Sequence, residues 1–295
     1  MFRGTITALI TPFVDGEIDE PALRGLVETQ IQAGIAGLVP CGTTGETPTL
    51  SEEEQDRVIR IVVEQSAGRV PVIAGTGGND TARAVARTRR ARELGADAAL
   101  VVAPYYNKPT QEGLVCHFAA IAAGADLPIV LYNVPGRTGV NLTPETTLRL
   151  AETPGVVGIK EAGGNLDQVS QIVAGAPRGF GVLSGDDSLT LPIVSVGGTG
   201  VISVVANIAP GAMVELTAAA LAGDLAAARA VHLRLFPLCR AMFLDNNPIA
   251  VKTAAGLLGI CRDEVRLPLT PMSPGNRRLL EAALDACAEI ALVAA

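Results

Sequence analysis

Val156-Val157-Gly158-Ile159-Lys160-Glu161-Ala162-Gly163-Gly164 passes from an apolar, strand-like run through two charged residues into glycines that read as a loop. Seven more short runs join 157–160, at 5–10, 36–39, 70–74, 98–102, 128–132, 179–183 and 200–204. Amphipathic segments such as 20–33, 51–66 and 81–94 lie between them. Ser51 followed by Glu52, Glu53 and Glu54 has the form of a capping box with acids in the first turn, and Thr143-Pro144-Glu145 puts proline at a helix start. Eight strands alternating with helices predict an α/β fold with a parallel sheet. The count of eight favours a closed (β/α)8 TIM barrel over an open sheet. Gly75-Thr76-Gly77-Gly78 lacks the third glycine of a dinucleotide fingerprint, and no glycine precedes a lysine, so there is no P-loop.

From about Gly223 the pattern changes. Segments 225–239, 247–258 and 275–295 read as helices with no strand between them. The expected organisation is a barrel over 1–223 that carries the active site and a C-terminal helical domain over 224–295. The 295 residues are 48% hydrophobic, which excludes general disorder, and a net charge of -7 argues against a nucleic-acid face. Five scattered cysteines without a CxxC motif point away from disulfides and thiolate metal sites, and fit a reducing cytoplasm. The apolar stretch at the N-terminus is too short for a signal peptide. No charge occurs from Ser188 to Val214, but Pro192, Gly197, Gly198, Gly200, Asn207 and Pro210 interrupt that stretch. Barrel elements joined by loops explain it better than a membrane helix.

In such a barrel the chemistry sits at the C-terminal ends of the strands. There the sequence places Cys41-Gly42-Thr43-Thr44-Gly45-Glu46, Pro104-Tyr105-Tyr106-Asn107, Tyr132 through Arg137, Lys160-Glu161, Ser184-Gly185-Asp186-Asp187 and Ile202-Ser203. Lys160 is one of three lysines, with Lys108 and Lys252. Lys108 lies in a polar turn and Lys252 in the helical appendix, so neither competes with it. Burial favours the neutral, nucleophilic amine, which suggests Schiff-base chemistry; a stem packed on apolar surface with its head in water is the plainer reading. An unperturbed lysine titrates near ~10.4, so holding half of it neutral at about pH 7.5 costs about 4 kcal/mol.

The Gly42–Glu46 turn offers backbone N–H groups and two hydroxyls to a small carboxylate such as that of a 2-oxo acid; alternatively it is a tight turn satisfied by its own threonines. His117 and His232 fall in helical stretches, so proton transfer falls to Tyr, Asp, Glu or water, and Tyr132 is the candidate. A packed ring with a satisfied hydroxyl would explain Tyr132 equally, as interface packing would Tyr106. The Arg137 fork suits a carboxylate or a surface ion pair. Asp186 and Asp187 lack a histidine or third carboxylate, so no metal is expected.

Taken together, Gly42-Thr43-Thr44-Gly45-Glu46, Tyr132-Asn133-Val134-Pro135 and Lys160, 28 positions after Tyr132, resemble the pyruvate-dependent class I aldolase family that includes N-acetylneuraminate lyase. The resemblance spans essentially the whole chain and implies a (β/α)8 barrel with a C-terminal helical domain. Tyr106 and Arg137 match the branch that condenses pyruvate with L-aspartate 4-semialdehyde on the route to lysine; the lyase branch lacks that arginine. By that resemblance Lys160 forms the imine with pyruvate and Tyr132 moves protons. Thr43 and Tyr106 complete a relay, Tyr106 coming from a neighbouring subunit. Thr44 and the Ile202 backbone hold pyruvate, and Arg137 binds the semialdehyde carboxylate near Gly185. No cofactor is implied. A homotetramer, built as a dimer of dimers, is.

Many members bind lysine at the tight dimer interface. Their pattern has glutamate where this chain has Arg83, and histidines where it has Glu52 and Gln55. Pro48 replaces a small residue, while Asn79 and Tyr105 are retained. The resemblance therefore implies weak or absent lysine inhibition. A sister aldolase or dehydratase acting on a sugar-derived 2-oxo acid is the nearest alternative. A non-catalytic small-molecule-binding barrel would need a lesion in the nucleophile, the tyrosine or the carboxylate turn, and none is visible.

Overall fold

The computed structural model describes residues 2–287, 290, 292 and 293. Among them are ten strands: β1 Gly4–Ala8, β2 Phe13–Val14, β3 Glu17–Ile18, β4 Gly37–Val39, β5 Ile73–Gly75, β6 Ala98–Val102, β7 Ile129–Asn133, β8 Val156–Glu161, β9 Gly181–Ser184 and β10 Gly200–Ser203. All but β2 and β3 form one parallel sheet in the order β4-β1-β10-β9-β8-β7-β6-β5. Leu38 bridges Val72, just before β5, and closes the ring. All eight expected strands are present, that at 98–102 with both ends unchanged and the others with ends displaced by at most three residues. The expected (β/α)8 barrel is the observed fold.

Ile6, Val39, Ile73, Leu100, Val130, Leu183 and Ile202 fill the barrel, while a larger core separates it from the surrounding helices. Those helices are α1 Glu20–Gln32, α2 Glu52–Ser66, α3 Thr81–Glu93, α4 Gln111–Ala125, α5 Pro135–Thr138, α6 Pro144–Ala151, α7 Leu166–Gly175, α8 Thr190–Ser195 and α9 Pro210–Leu221. The capping box at Ser51 and Glu54 is present, and Pro144 opens α6. The uncharged stretch 188–214 divides among short elements. No helix among the described residues is long and apolar enough to cross a membrane.

The hairpin of β2 and β3 was not anticipated. Its signal is Asp15-Gly16, and both residues take positive φ (51° and 85°), as a two-residue hairpin turn requires. Beyond Gly223 come α10 Leu225–Ala241, α11 Ile249–Leu257 and α12 Pro274–Ala286. The helix expected over 275–295 is shorter than that. At Cys287 the amide turns to the carbonyls of Leu284 and Asp285, and Val293 donates to Ile208 O, which folds the chain back onto the barrel. Residues 288, 289, 291, 294 and 295 of that expected helix lie outside the described residues.

Candidate active site

β7 and β8 pair Tyr132 with Lys160 and Asn133 with Glu161. Side chains alternate along a strand, so each pair shares a face. Tyr132 belongs to the cluster inside the barrel, together with Ile202. The Nζ of Lys160, a residue 5% exposed, lies 4.4 Å from the Tyr132 ring centroid. Asn133 and Glu161 point the other way. The Glu161 carboxylate accepts from Asn133 Nδ2 (3.0 Å), Gln168 Nε2 (2.9 Å) and Gly163 N (2.6 Å). Burial pushes its pKa up, and these hydrogen bonds oppose the rise. Lys160 is thus set at the mouth end of β8 by a neighbour anchored among the helices. Gly185 closes in from β9; a Cβ there would meet Lys160 Cε at 3.1 Å.

The turn after β4 is bracketed by two non-glycine residues at positive φ, Cys41 and Glu46 (55° each). The amides of Gly45 and Glu46 stay inside it, donating to Gly42 O (3.1 Å) and Thr43 O (3.2 Å). Those of Thr43 and Thr44 make no backbone hydrogen bond among the described residues. Gly75 of β5 lies so close that a Cβ would fall 2.0 Å from Cys41 O, so only glycine fits beneath the turn. Thr44 is buried, and its Oγ1 accepts from Asn247 Nδ2 at 3.0 Å. That leaves the Thr44 hydroxyl proton free to donate. Arg137 Nη2 reaches Asn247 O at 3.5 Å. Asn247 therefore stands between two of the expected site residues. It lies in the Asn246-Asn247-Pro248 turn before α11, and the sequence reading placed it only at a helix start.

A cleft of about 400 Å³ opens at this end of the barrel, lined in part by Thr43, Pro48, Tyr105, Tyr132 and Arg137. Lys160, Thr44, Gly185 and Ile202 are not on its wall. Tyr106 is 90% exposed at a φ of 72° and does not join the others within one chain. A second cleft, about 350 Å³, shares Gln55, Gly75 and Arg87 with the first. Arg83 and Arg90 line it opposite Glu52, Glu53 and Asp56. Asn79 Nδ2 donates to Tyr105 O (3.3 Å), and Tyr105 lines the first cleft.

Two buried acids need separate accounts. Asp187 accepts from Ser203 Oγ and from the amides of Val204 (3.0 Å) and Val205 (3.1 Å), fastening the end of β10 next to Ile202. Burial raises its pKa to about 6. Glu46 pairs with Lys252 at 2.6 Å, the one fully buried ion pair among the described residues. Helical spacing in α11 gave no hint that Lys252 would be buried beside a carboxylate.

The family model described as the dihydrodipicolinate synthetase family matches residues 1–287. The chain is 61% identical over 287 residues to a 4-hydroxy-tetrahydrodipicolinate synthase of Thermomicrobium roseum, covering 97% of this chain and 95% of that one. It is 56% identical over 282 residues to the protein of the same name from Geobacter sulfurreducens, covering 96% and 97%. The crystal structure of dihydrodipicolinate synthase from Aquifex aeolicus superposes with a TM-score of 0.96 at 49% identity, over 99% of each chain. On a match of this length and identity, the chain belongs to the dihydrodipicolinate synthetase family.

Proposed function

We propose that the protein condenses pyruvate with L-aspartate 4-semialdehyde, through an imine on Lys160, to give 4-hydroxy-tetrahydrodipicolinate in lysine and diaminopimelate biosynthesis. The observation that carries the reading is the buried Lys160, in register with Tyr132 on the neighbouring strand. The names of the relatives, 4-hydroxy-tetrahydrodipicolinate synthase, support it. The Lys160 amine adds to the pyruvate ketone and water leaves, giving an iminium. The adjacent methyl protons become acidic, and one passes by way of Tyr132, with Thr43 and the Tyr106 of a neighbouring subunit completing the relay. The enamine carbon attacks the aldehyde, whose oxygen takes up a proton. The semialdehyde's own amine then displaces Lys160 and closes the ring. The iminium is the electron sink throughout, so the reading invokes no cofactor and no metal.

Thr44, with the free Thr43 and Thr44 amides and the Ile202 backbone, suits the pyruvate carboxylate, and Arg137 suits that of the semialdehyde near Gly185. The exposure of Tyr106 fits a tyrosine supplied to a neighbouring subunit, and the family resemblance extends this to a homotetramer of tight dimers, testable by light scattering. The reading further divides the chain at Gly223 and places the enzyme in the cytoplasm. Borohydride reduction with pyruvate followed by mass spectrometry tests the chemistry. A missing adduct on Lys160 refutes it. Condensation with the semialdehyde, set beside cleavage of N-acetylneuraminate and 2-keto-3-deoxygluconate, tests the substrate; preferred cleavage would move the protein to a sister activity.

A further inference from the structure

We infer that Lys252 and Glu46 are positioning residues, a buried pair through which the C-terminal helices hold the carboxylate-binding turn in place. This rests on the reading that Thr43 and Thr44 bind pyruvate. The Lys252 side chain is fully buried, and its Nζ donates to Glu46 Oε1 (2.6 Å) and Thr11 O (2.9 Å) while lying 4.1 Å from the Phe13 ring centroid. The other carboxylate oxygen, Oε2, accepts from the Arg266 amide at 3.0 Å. Thr11 in turn donates through Oγ1 to Gly45 O at 2.8 Å. The turn's last residue is therefore gripped on both oxygens by residues more than 200 positions away. Its backbone also sits at a φ of 55°, which glutamate adopts only when its surroundings hold it there.

Three features distinguish a brace from general packing. Glu46 stands two residues beyond Thr44, so a shift of its backbone is passed along the turn to the free amides. Asn247 of the same C-terminal segment holds the Thr44 hydroxyl, so side chain and backbone of the turn share one support. Finally, both charges are engaged by the protein itself: Lys252 Nζ donates to Glu46 and Thr11, and the second Glu46 oxygen accepts from the Arg266 amide. The pair consequently has to act through the turn rather than on reacting atoms.

The test uses Lys252→Met and the neutral pair Glu46→Gln/Lys252→Met, measured for both substrates. Lys252→Met leaves a buried carboxylate unpaired and destabilises the fold; the double variant removes that charge while nearly keeping volume. Neither methionine nor glutamine can supply the ammonium that spans Glu46 and Thr11. The expected result is a pyruvate KM raised tenfold or more in the double variant, with the semialdehyde KM within about twofold of the parent's. A parental pyruvate KM in the double variant overturns the inference. So does failure of both variants to fold, which would assign the pair to folding alone. Borohydride trapping of pyruvate by the parent protein is the separate control: its absence refutes the proposed function, whatever the variants do.

Discussion

Gly185→Ala puts a methyl group against the nucleophile. A Cβ on the present backbone would lie 2.6 Å from Ala162 Cβ, 3.1 Å from Lys160 Cε and 3.2 Å from Glu161 O. Gly185 N already donates to Glu161 O at 2.7 Å, and Ala162 N to Asn133 O at 2.9 Å, so neither backbone slides freely. To reach the 3.4 Å of ordinary contact, Ala162 must give by about 0.8 Å and Lys160 Cε by about 0.3 Å. Overpacking of this kind costs roughly 1–3 kcal/mol of stability. A misplacement of about 1 Å at a reacting group costs on the order of 100-fold, so a shift of a few tenths predicts a three- to tenfold slower imine formation. The assay is the rate of pyruvate-dependent borohydride modification of Lys160, read by intact mass beside a thermal melt. Gly211→Ala, in α9 where an added Cβ meets nothing within 4 Å, serves as the control: it should leave the imine rate unchanged and melt no lower than the parent. A Gly185→Ala protein that melts lower yet forms the imine at the parental rate would refute the reasoning, because Lys160 would then tolerate displacement.

Tyr132→Phe should retain pyruvate trapping on Lys160 while kcat falls roughly 10²- to 10³-fold, the worth of a positioned proton-transfer group; steady-state kinetics beside trapping check it. L-lysine should not inhibit at sub-millimolar concentration, because Arg83 brings a cation to the cleft that the ammonium of lysine would approach; initial rates against added lysine decide. Asp187 has a folded pKa raised by burial to about 6 from the 3.8 of an exposed group. Its protonated form is the stable one, so its contribution is full below the unfolded value and is lost as pH rises through about 6. Denaturation of the parent against Asp187→Asn should show their stability difference shifting on the order of 2–3 kcal/mol against the parent between pH 4 and 7.5. A pH-independent difference would show that Asp187 does not titrate in this range.

The barrel was legible because burial on both faces turns parallel strands into short apolar runs, and eight such runs leave few topologies. The mouth was legible for a related reason. Where a run ends, polar residues such as Tyr132 and Lys160 fall on the open end of the barrel, so position along the strand serves as position in space. The Asp15-Gly16 hairpin carries its turn signal in the sequence too, but its strands are two residues each, too short for an alternation to show. Asn247 and Arg266 were not visible in that way. Each acts through a partner about 200 positions away, at Thr44 and Glu46, and local pattern carries no trace of such a contact.

Lys160 and Lys252 show where strand-end reasoning stops. Both are buried, and at Lys252 desolvation works against the charged form. It pulls the pKa down there, while the carboxylate of Glu46 pulls the other way. A lysine that donates to a carboxylate and a carbonyl has committed its protons, and an ammonium has no lone pair with which to attack a ketone. At Lys160 the near neighbour is instead the ring of Tyr132, at 4.4 Å, a weaker partner for a cation than a carboxylate. On the proposed function, two buried lysines thus divide into brace and nucleophile by what stands opposite them. For Lys252 that partner lies 206 positions away; for Lys160 it lies on the neighbouring strand, where the alternation of the chain already pointed.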